Sequence, residues 1–527
     1  MHAMRPFPAL FFVLIACVLF SSPAEAIQVV PDTSEQEQSP PPPKPAPPAE
    51  RQSLTRHELR IGDKIYTYIA TAGELVIRDE ESQEPRARFF YVAYELEDAK
   101  PGQRPLTFAF NGGPGAASVW LHLGGLGPWR VALNDDGTLP PPPYRLVQNE
   151  SSWLPFTDLV FIDPVGTGYS RGLSQAKPAG KPFWNIEKDV ESVAEFIRLW
   201  VTRNGRWLSP VFLAGESYGT TRAALLAPYL QREFGLQAAG VLLISPVLFY
   251  ETILLSPIND LPFALYLPAY ASVAHYHGMA GQGRDLEEFA AQAGIFALEE
   301  YLPALAKGSI LPRSRSTELA GRLSEFTGVP ARLYLENHLR LEPARFRREL
   351  LRDRSRLIGR MDATIAAVNP EPQRSAPRYD PTLQPLFGPF SSAIHSYLAR
   401  DLKYQSDLPY EFLNPQVGMS WDWQAAGEEG QGYLDAVTPL KEAMSVSPSM
   451  RVLMACGMYD LATPCSSVEY TLNHLWLDDA LKRNVLLEYY QAGHMMYTHA
   501  GPRRQLRDDA ERFYRETLTR PADKSGR

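Results

Sequence analysis

The stretch Val211-Phe212-Leu213-Ala214-Gly215-Glu216-Ser217-Tyr218-Gly219 decides how this chain of 527 residues folds. Its apolar beginning predicts a short buried strand, its end fits the pattern G-x-S-x-G, and residues 220–234 have the composition of a helix. A strand, a sharp turn and a helix in this order hold a serine hydroxyl exposed on a strained turn. We therefore predict that Ser217 is a nucleophile. The alternative is an ordinary glycine turn that contains a serine without a role.

The segments around this stretch alternate between strand and helix patterns. A helix is predicted from about Asn185 to Asn204, with apolar residues on one face and Glu187, Asp189 and Glu191 on the other. Such alternation predicts an α/β fold with a mainly parallel central sheet and helices on both faces. Apolar runs predict the other buried strands at 106–110, 158–162, 241–245, 451–455 and 484–490.

Residues 56–96 have β-strand patterns that predict an antiparallel edge of the sheet. The runs 64–69, 74–77 and 87–94 are rich in β-branched and aromatic residues. Gly62-Asp63 and Ala72-Gly73 offer turns between them.

Between residues 250 and 446 the alternation stops, which predicts a helical cap insertion between two parts of the core, 54–249 and 447–520. Arginines recur along one of its predicted helices, for which a solvated face is favoured over a phosphate or membrane-surface site. Trp421 and Trp423 either line a substrate cleft or pack in the core. Helical patterns occupy 286–305, 316–326, 343–368 and 391–404.

The first 53 residues predict export followed by a linker. Arg5 precedes an apolar run at 9–20, and Ala24-Glu25-Ala26 fits a small-x-small cleavage site, so residues 1–26 resemble a signal peptide. Residues 27–53 include a run of prolines that favours an extended linker. We expect a periplasmic or secreted protein. Lipoprotein anchoring at Cys17 is the minor alternative.

Composition narrows the range of partners. A net charge of −8 argues against nucleic acid as the main partner, and no stretch after residue 26 is long and apolar enough to span a membrane. The predicted mature chain keeps only Cys456 and Cys465, which either form a disulfide or remain buried thiols. The oligomeric state stays open.

A serine nucleophile needs a base and an acid that orients the base. Asp460 and His494 each follow a predicted strand, and with Ser217 they give the chain order serine, acid, histidine that is typical of α/β-hydrolases. His499 is a rival base that lies farther from its strand. Asp478 and Asp479 are rival acids at what looks like an exposed helix end.

A glycine-rich loop, Asn111-Gly112-Gly113-Pro114-Gly115, follows the strand 106–110. Its backbone N–H groups are little covered by side chains, which suits either an anion cradle or an oxyanion hole. The Gly-Lys-Ser/Thr of a phosphate-binding P-loop is absent.

These blocks together resemble the serine carboxypeptidases, in an exported bacterial type. The resemblance rests on the glycine-rich loop, the segment 163–170, the Ser217 motif, Asp460 and Gly493-His494-Met495. It runs from about residue 87 to 498. Within the cap insertion, the resemblance is only that both insertions are helical.

The resemblance implies a role for each matching residue, and it implies no cofactor and no metal. Ser217 would attack the scissile carbonyl, His494 would transfer the proton, and Asp460 would orient His494. The N–H groups of Gly113 and Tyr218 would hold the oxyanion. The free C-terminal carboxylate of a peptide substrate would be bound by Asn111, Gly112 and Glu216.

Glu216 and Gly125 bear on the type of substrate. Beside a substrate carboxylate, Glu216 must be protonated, which predicts activity favoured at acidic pH; otherwise Glu216 is a structural acid of the turn. The family's usual second glutamate corresponds here to Gly125. The leading hypothesis is a serine carboxypeptidase, the second an esterase or acyltransferase on the same scaffold, and the third a binding protein without catalysis.

Overall fold

The computed structural model describes residues 49–97, 99–100, 102–374, 376–423 and 434–519. The predicted signal peptide and most of the predicted linker lie outside these residues. Within them, ten strands form the main sheet. In chain order they are β1 (Gln52–Ile61), β2 (Lys64–Arg78), β3 (Pro85–Leu96), β4 (Leu106–Phe110), β5 (Asp158–Asp163), β6 (Arg171–Gly172), β7 (Val211–Glu216), β8 (Ala238–Ile244), β9 (Arg451–Gly457) and β10 (Val485–Tyr490).

The strands lie in the order β1-β2-β3-β5-β4-β7-β8-β9-β10, and β6 pairs with the end of β3. From β5 to β10 all neighbours are parallel, whereas β1, β2, β3 and β5 pair in antiparallel fashion. This mainly parallel sheet with helices on both faces confirms the predicted α/β-hydrolase fold.

Helices of nine or more residues connect and cover these strands in the described part of the chain. They are α1 (Ile186–Arg203), α2 (Tyr218–Phe234), α3 (Leu267–Tyr276), α4 (Leu286–Phe296), α5 (Arg313–Thr327), α6 (Leu383–Ser396), α7 (Val437–Val446), α8 (Cys465–Asn473) and α9 (Ala500–Thr519). Shorter helices are Val119–Leu121, Leu261–Leu265, Leu302–Leu305, Ala331–Glu336, Pro343–Glu349, Pro415–Ser420 and Asp479–Lys482. No helix among the described residues combines the length and hydrophobicity needed to cross a bilayer.

Neighbouring residues of a central strand enter different cores, because successive side chains of a strand point to opposite faces. In β7, Leu213 packs in the core that contains α1 and α2, whereas Phe212 packs in the core that contains the C-terminal α9. The ring of Phe212 stacks on Tyr514 of α9 at 4.1 Å between ring centroids. The sheet is therefore buried on both faces.

The antiparallel edge differs from the prediction at Gly73. We expected a turn there, but β2 continues through it from Lys64 to Arg78. A Cβ atom on Gly73 would lie 3.0 Å from the hydroxyl oxygen of Tyr91 on β3. The glycine thus makes room for an aromatic ring of the neighbouring strand and does not end a strand.

The insertion contains a hydrophobic core of its own. Side chains of α3, α4 and α5 pack together with Phe346 and Ile358, and Leu461 of the main fold joins them. By contrast, α6 packs on the core that contains α9, and α7 packs on the core that contains α1. The insertion is thus anchored to both faces of the fold.

The predicted helix 343–368 is wrong beyond Glu349. The chain leaves the helix there and forms a hairpin of Arg356–Ile358 with Ala366–Val368. Arg347 and Arg348 are buried, so the expected solvated arginine face is also wrong at these positions. The guanidinium of Arg347 donates to the carbonyl oxygen of Ile358 at 3.0 Å, which joins helix and hairpin.

Candidate active site

Ser217 lies on the turn between β7 and α2. Its backbone has φ +58° and ψ −129°, a conformation that residues other than glycine rarely adopt and that is typical of a nucleophile elbow. The turn is so tight that a Cβ atom on Gly215 would overlap the carbonyl group of Gly219. Gly215 is therefore required by the turn that exposes Ser217. Gly219 is required by the close approach of Phe110, whose carbonyl oxygen would lie 2.7 Å from a Cβ atom there.

His494 and Asp460 form a buried pair at the ends of two neighbouring strands. The distance from His494 Nδ1 to Asp460 Oδ2 is 2.6 Å, and both side chains are almost fully buried. Asp460 Oδ1 accepts hydrogen bonds from the N–H groups of Ala462 and Thr463 at 2.6 and 3.1 Å, and the Thr463 hydroxyl donates to Oδ2 at 2.8 Å. The carboxylate is thus fixed, and it places a proton on Nδ1 and leaves Nε2 free to act as a base.

The carboxylates near His494 favour the protonated form of its imidazole. Burial alone would lower the pKa of His494, but the negative charges of Asp460 and Glu216 outweigh burial, so the pKa is raised above its ordinary value. A raised pKa suits a base that must accept a proton during the reaction.

The rival residues lie elsewhere. His499 Nε2 contacts Asp362 Oδ2 at 2.5 Å, and His499 is not among the described residues that line the Ser217 cavity. Asp478 caps a short helix by accepting from the N–H of Ala480, and Asp479 pairs with Lys482 on the surface. The structure therefore brings together Ser217, His494 and Asp460, and none of the rivals.

The predicted site residues line one cavity of about 560 Å³. Ser217 and His494 form part of its wall, and Asp460 is buried behind His494. The cavity also contains both predicted oxyanion residues and all three predicted carboxylate-binding residues: Asn111, Gly112, Gly113, Glu216 and Tyr218.

The glycine-rich loop lies directly against the Ser217 turn. A Cβ atom on Gly112 would be 2.5 Å from the backbone nitrogen of Gly219, a distance that no side chain tolerates. Gly113 has φ +102°, in the region that favours glycine. The two predicted oxyanion residues, Gly113 and Tyr218, thus lie in adjoining loops that line the cavity of Ser217.

A buried ion pair behind the site holds these two loops in place. Arg222 Nε donates to Asp189 Oδ2 at 2.8 Å, and the Tyr218 hydroxyl donates to the same oxygen at 3.0 Å. A second guanidinium nitrogen of Arg222 donates to the Asn111 carbonyl oxygen at 2.8 Å. Asp189 was expected on the solvated, polar face of α1, and this expectation is wrong, because Asp189 is buried. Its pairing with Arg222 of α2 could not be seen from the pattern of α1.

Asn111 and Glu216 lie side by side at the predicted carboxylate site. Asn111 Oδ1 accepts from the N–H of Leu121 at 3.0 Å, which leaves its Nδ2 group to donate elsewhere. Burial raises the pKa of Glu216 to about 7, although the charge of His494 and hydrogen-bonding groups of Tyr497 and Asn111 oppose the rise. Glu216 is thus a carboxylic acid that holds its proton up to nearly neutral pH.

Gly125, where the family's second glutamate is expected, lies in the buried turn His122–Leu126. A Cβ atom on Gly125 would be 2.5 Å from the Cβ atom of Tyr497. Tyr497 therefore occupies the space that a side chain at position 125 would need. Tyr497 was not predicted from the sequence, where its distance of three residues from His494 was the only signal for it.

The rest of the cavity wall is mainly apolar. Trp423 lines the cavity, whereas Trp421 is buried and packs edge-on against Tyr218 at 5.2 Å, so the two alternatives proposed for this pair each hold for one residue. Arg360 is the only arginine or lysine among the described lining residues. Apolar or aromatic side chains in the wall include Trp120, Tyr250, Ile253, Leu254, Leu383 and Leu413.

Cys456 and Cys465 form a disulfide. Cys456 lies in β9 and Cys465 begins α8, so the bond closes the loop that carries Asp460. Of the two alternatives for these cysteines, the structure has the bonded one.

Comparison with known proteins confirms the resemblance. Residues 77–233 match the serine carboxypeptidase family, Peptidase S10. Serine carboxypeptidase-like 5 of Arabidopsis thaliana is 32% identical over 139 residues, which are 26% of this chain and 30% of that protein. The pheromone-processing carboxypeptidase KEX1 of Saccharomyces cerevisiae is 33% identical over 158 residues, 28% of this chain and 20% of that protein. The matches thus span about a third or less of these relatives, and the family match includes the glycine-rich loop and Ser217.

Two solved structures illustrate a distant likeness to this chain. The proline iminopeptidase of Mycobacterium smegmatis has a TM-score of 0.35 and 15% identity, with 88% of this chain and 98% of that chain covered. A carboxyl esterase from Bacillus coagulans has a TM-score of 0.35 and 12% identity, with 84% and 98% covered. The fold assignment above rests on the sheet topology and not on these scores.

Proposed function

We propose that this protein is an exported serine carboxypeptidase that removes C-terminal residues from peptides through an acyl-enzyme and is most active at acidic pH. The observation that carries the proposal is Glu216, a buried acid whose pKa is about 7, next to the nucleophile in a shared cavity. Such a group can donate a hydrogen bond to a carboxylate, and a free carboxylate is what distinguishes the C-terminal end of a peptide.

In the proposed reaction, Ser217 Oγ attacks the carbonyl carbon of the last peptide bond while His494 Nε2 takes its proton. The N–H groups of Gly113 and Tyr218 stabilise the resulting oxyanion. Collapse of this intermediate breaks the C–N bond, and His494 returns the proton to the leaving amine. Water then attacks the acyl-enzyme in the same way and releases the shortened peptide and free Ser217.

Two protonation states must coexist for this reaction. Glu216 must be protonated to hold the substrate, and His494 must be neutral to act as a base. Protonation of Glu216 removes one of the negative charges that raise the pKa of His494, so the first condition favours the second. The activity is therefore expected to be lost above about pH 7 as Glu216 ionises, and protonation of His494 sets its acid limit.

The cavity wall supports a preference for apolar substrate side chains. Trp120, Tyr250 and Leu413 lie around the nucleophile, and burial of an apolar side chain against them contributes about 1.5–3 kcal/mol. Arg360 adds a single positive charge to the described wall, which favours an acidic side chain at one position.

The test uses one peptide in two forms, with a free C-terminal carboxylate and with a C-terminal amide. We expect stepwise release of single residues from the free peptide at pH 5–6 and at least tenfold slower cleavage of the amide. Ser217→Ala should lower turnover by about 10⁶-fold in both cases without unfolding the protein. A fluorophosphonate probe should label the wild type at Ser217 and not the variant. Equal cleavage of both peptides would refute the carboxypeptidase assignment.

A second candidate, an esterase or acyltransferase on the same scaffold, is favoured by Gly125. Without the second acid, the site has fewer groups for a free carboxylate, and a neutral acyl ester places no charge there. Turnover of small esters without cleavage of the free peptide would support this candidate. Absence of fluorophosphonate labelling would refute both enzymes and support a binding protein.

Export is part of the proposal. The signal-like residues 1–26 predict it, and the disulfide is consistent with an oxidising compartment. Cell fractionation and N-terminal sequencing of the mature protein would test it. Cleavage after Ala26 is expected, and a lipid-modified N-terminus at Cys17 would support anchoring instead.

A further inference from the structure

The Tyr497 hydroxyl and Glu216 Oε2 are two buried polar atoms of the site that make no well-aligned hydrogen bond within the described residues. Tyr497 is completely buried, and its hydroxyl has no well-aligned hydrogen bond within the described residues. Glu216 Oε2 is likewise buried without one. A buried polar atom without a partner is costly, so native structures rarely keep two near each other without a reason.

The two groups are near enough to act on each other. Burial and the charge of Glu216 raise the pKa of the Tyr497 phenol, and the Tyr497 hydroxyl in turn opposes the rise that burial causes in the pKa of Glu216. Since a phenol with a raised pKa stays protonated, Tyr497 is a permanent hydrogen-bond donor. The other groups that act on Glu216 are His494, Asp460 and the Asn111 amide.

The position of Tyr497 follows from two glycines. A Cβ atom on Gly124 would lie 2.5 Å from Tyr497 Cε2, and one on Gly125 would lie 2.5 Å from Tyr497 Cβ. Tyr497 therefore packs so closely against this backbone that both positions must be glycine. Position 125 has no side chain, and Tyr497 fills the space that such a side chain would occupy.

We propose that Tyr497 is a positioning residue that replaces the missing second acid: its hydroxyl donates to Glu216 Oε2 and thereby turns Oε1, with its proton, toward the substrate carboxylate in the cavity. The proposal rests on the carboxypeptidase function proposed above. Tyr497 does not line the cavity among the described residues, so it acts through Glu216.

The number of acids at the carboxylate site determines how steeply KM for a free-carboxylate peptide depends on pH. If two carboxyl groups had to be protonated, the affinity for the free carboxylate would fall a hundredfold for each pH unit above their pKa values. With Tyr497 as a fixed donor, only Glu216 must be protonated. Above the pKa of Glu216, KM for a free-carboxylate peptide should therefore rise about tenfold per pH unit, and not a hundredfold.

The experiment compares the wild type with Tyr497→Phe, which keeps the ring and removes the hydroxyl. Without the donor, ionised Glu216 is less stable, so the alkaline limb of kcat/KM for the free-carboxylate peptide should move up by about one pH unit. KM for this peptide at pH 5 should rise about five- to tenfold, because Oε1 is no longer held toward the substrate. With an ester substrate that lacks the carboxylate, both values should stay unchanged.

Tyr490→Phe is a matched control. The Tyr490 hydroxyl also donates to a buried carboxylate, Asp509 Oδ2, at 2.9 Å, but neither residue lines the cavity. This variant should leave the pH limb in place. If Tyr497→Phe does not fold, Gly125→Ala provides a second route, because its methyl group must displace Tyr497 from Glu216, and the same upward shift is expected.

The outcomes separate the two proposals. An unmoved limb in Tyr497→Phe, or equal changes with the free peptide and the ester, would overturn the role of Tyr497 and leave the carboxypeptidase proposal intact. A wild type that does not prefer the free carboxylate over the amide would overturn the carboxypeptidase proposal itself. A hundredfold rise in KM per pH unit would show a second titrating acid and would also refute Tyr497.

Discussion

Asp460 holds His494 through Oδ2, at 2.6 Å from Nδ1, while two backbone N–H groups bind its other oxygen. In Asp460→Asn the backbone N–H groups would retain the amide oxygen, so the amide nitrogen would face His494 Nδ1. That arrangement selects the wrong tautomer of the imidazole. We expect kcat to fall about 10⁴-fold with little loss of stability, measured with a peptide or ester substrate.

Asp362→Asn is the control for this prediction, because Asp362 holds His499 in the same way outside the described cavity wall. It should change kcat by less than about tenfold. Comparable losses in the two variants would contradict the assignment of Asp460.

Glu216 links stability to pH. Its pKa is about 7 in the folded protein and 4.5 ordinarily, so folding favours its protonated form. This contribution is fully present below about pH 4.5 and is lost as pH rises through about 7. Relative to Glu216→Gln, the wild type should therefore lose about 3 kcal/mol of unfolding free energy between pH 4.5 and 8.

Denaturant titrations at several pH values measure this difference. Burial also raises the pKa of Asp163 to about 7, but Asp163 titrates in both proteins and cancels in the comparison. A difference that does not vary with pH would show that Glu216 titrates normally.

The ion pair of Arg222 with Asp189 predicts a large effect on stability. Arg222→Met would leave a buried carboxylate without its cation, at a cost of about 3–5 kcal/mol in the free energy of unfolding. Arg232→Met is the matched control on α2, because its pair with Glu233 is exposed and contributes less than about 1 kcal/mol. Equal effects of the two variants on the denaturation midpoint would contradict the buried network.

Gly112→Ala tests the contact between the two loops of the site. Its methyl group would press on the backbone of the Ser217 turn and separate the loops, which should lower kcat at least a hundredfold, as the loss of an oxyanion donor does. Gly321→Ala is the control, because nothing lies within 4 Å of a Cβ atom there. Unchanged kcat in Gly112→Ala would mean that the loop can shift without loss.

The sequence predicted the features that depend on neighbouring residues. The strand, turn and helix around Ser217 follow from hydrophobic pattern and glycine spacing within a short window. The order of Ser217, Asp460 and His494 could be predicted because each follows a strand, and parallel strands bring their ends to one edge of a sheet.

The features that the sequence did not predict depend on distant partners. Gly73 looked like a turn because Tyr91, which lies against it, is on another strand. Asp189 and Arg347 were expected to be solvated because a charged side chain is buried only when it has a partner. The partner of Asp189 is on another helix, so the local pattern does not reveal it. Tyr497 was not predicted because its position is set by the space above Gly125, which is far away in the chain.

The contact between Gly112 and the Ser217 turn also bears on how such a protein can change over time. The turn conformation of Ser217 and the donors around it are made by main chain, and main chain is not altered by most mutations. In the proposed function, the groups that would contact the rest of the substrate, such as Arg360 and Trp423, are side chains of the cavity wall. A lineage that carries this scaffold can therefore acquire new substrates one substitution at a time without rebuilding the machinery that breaks the bond.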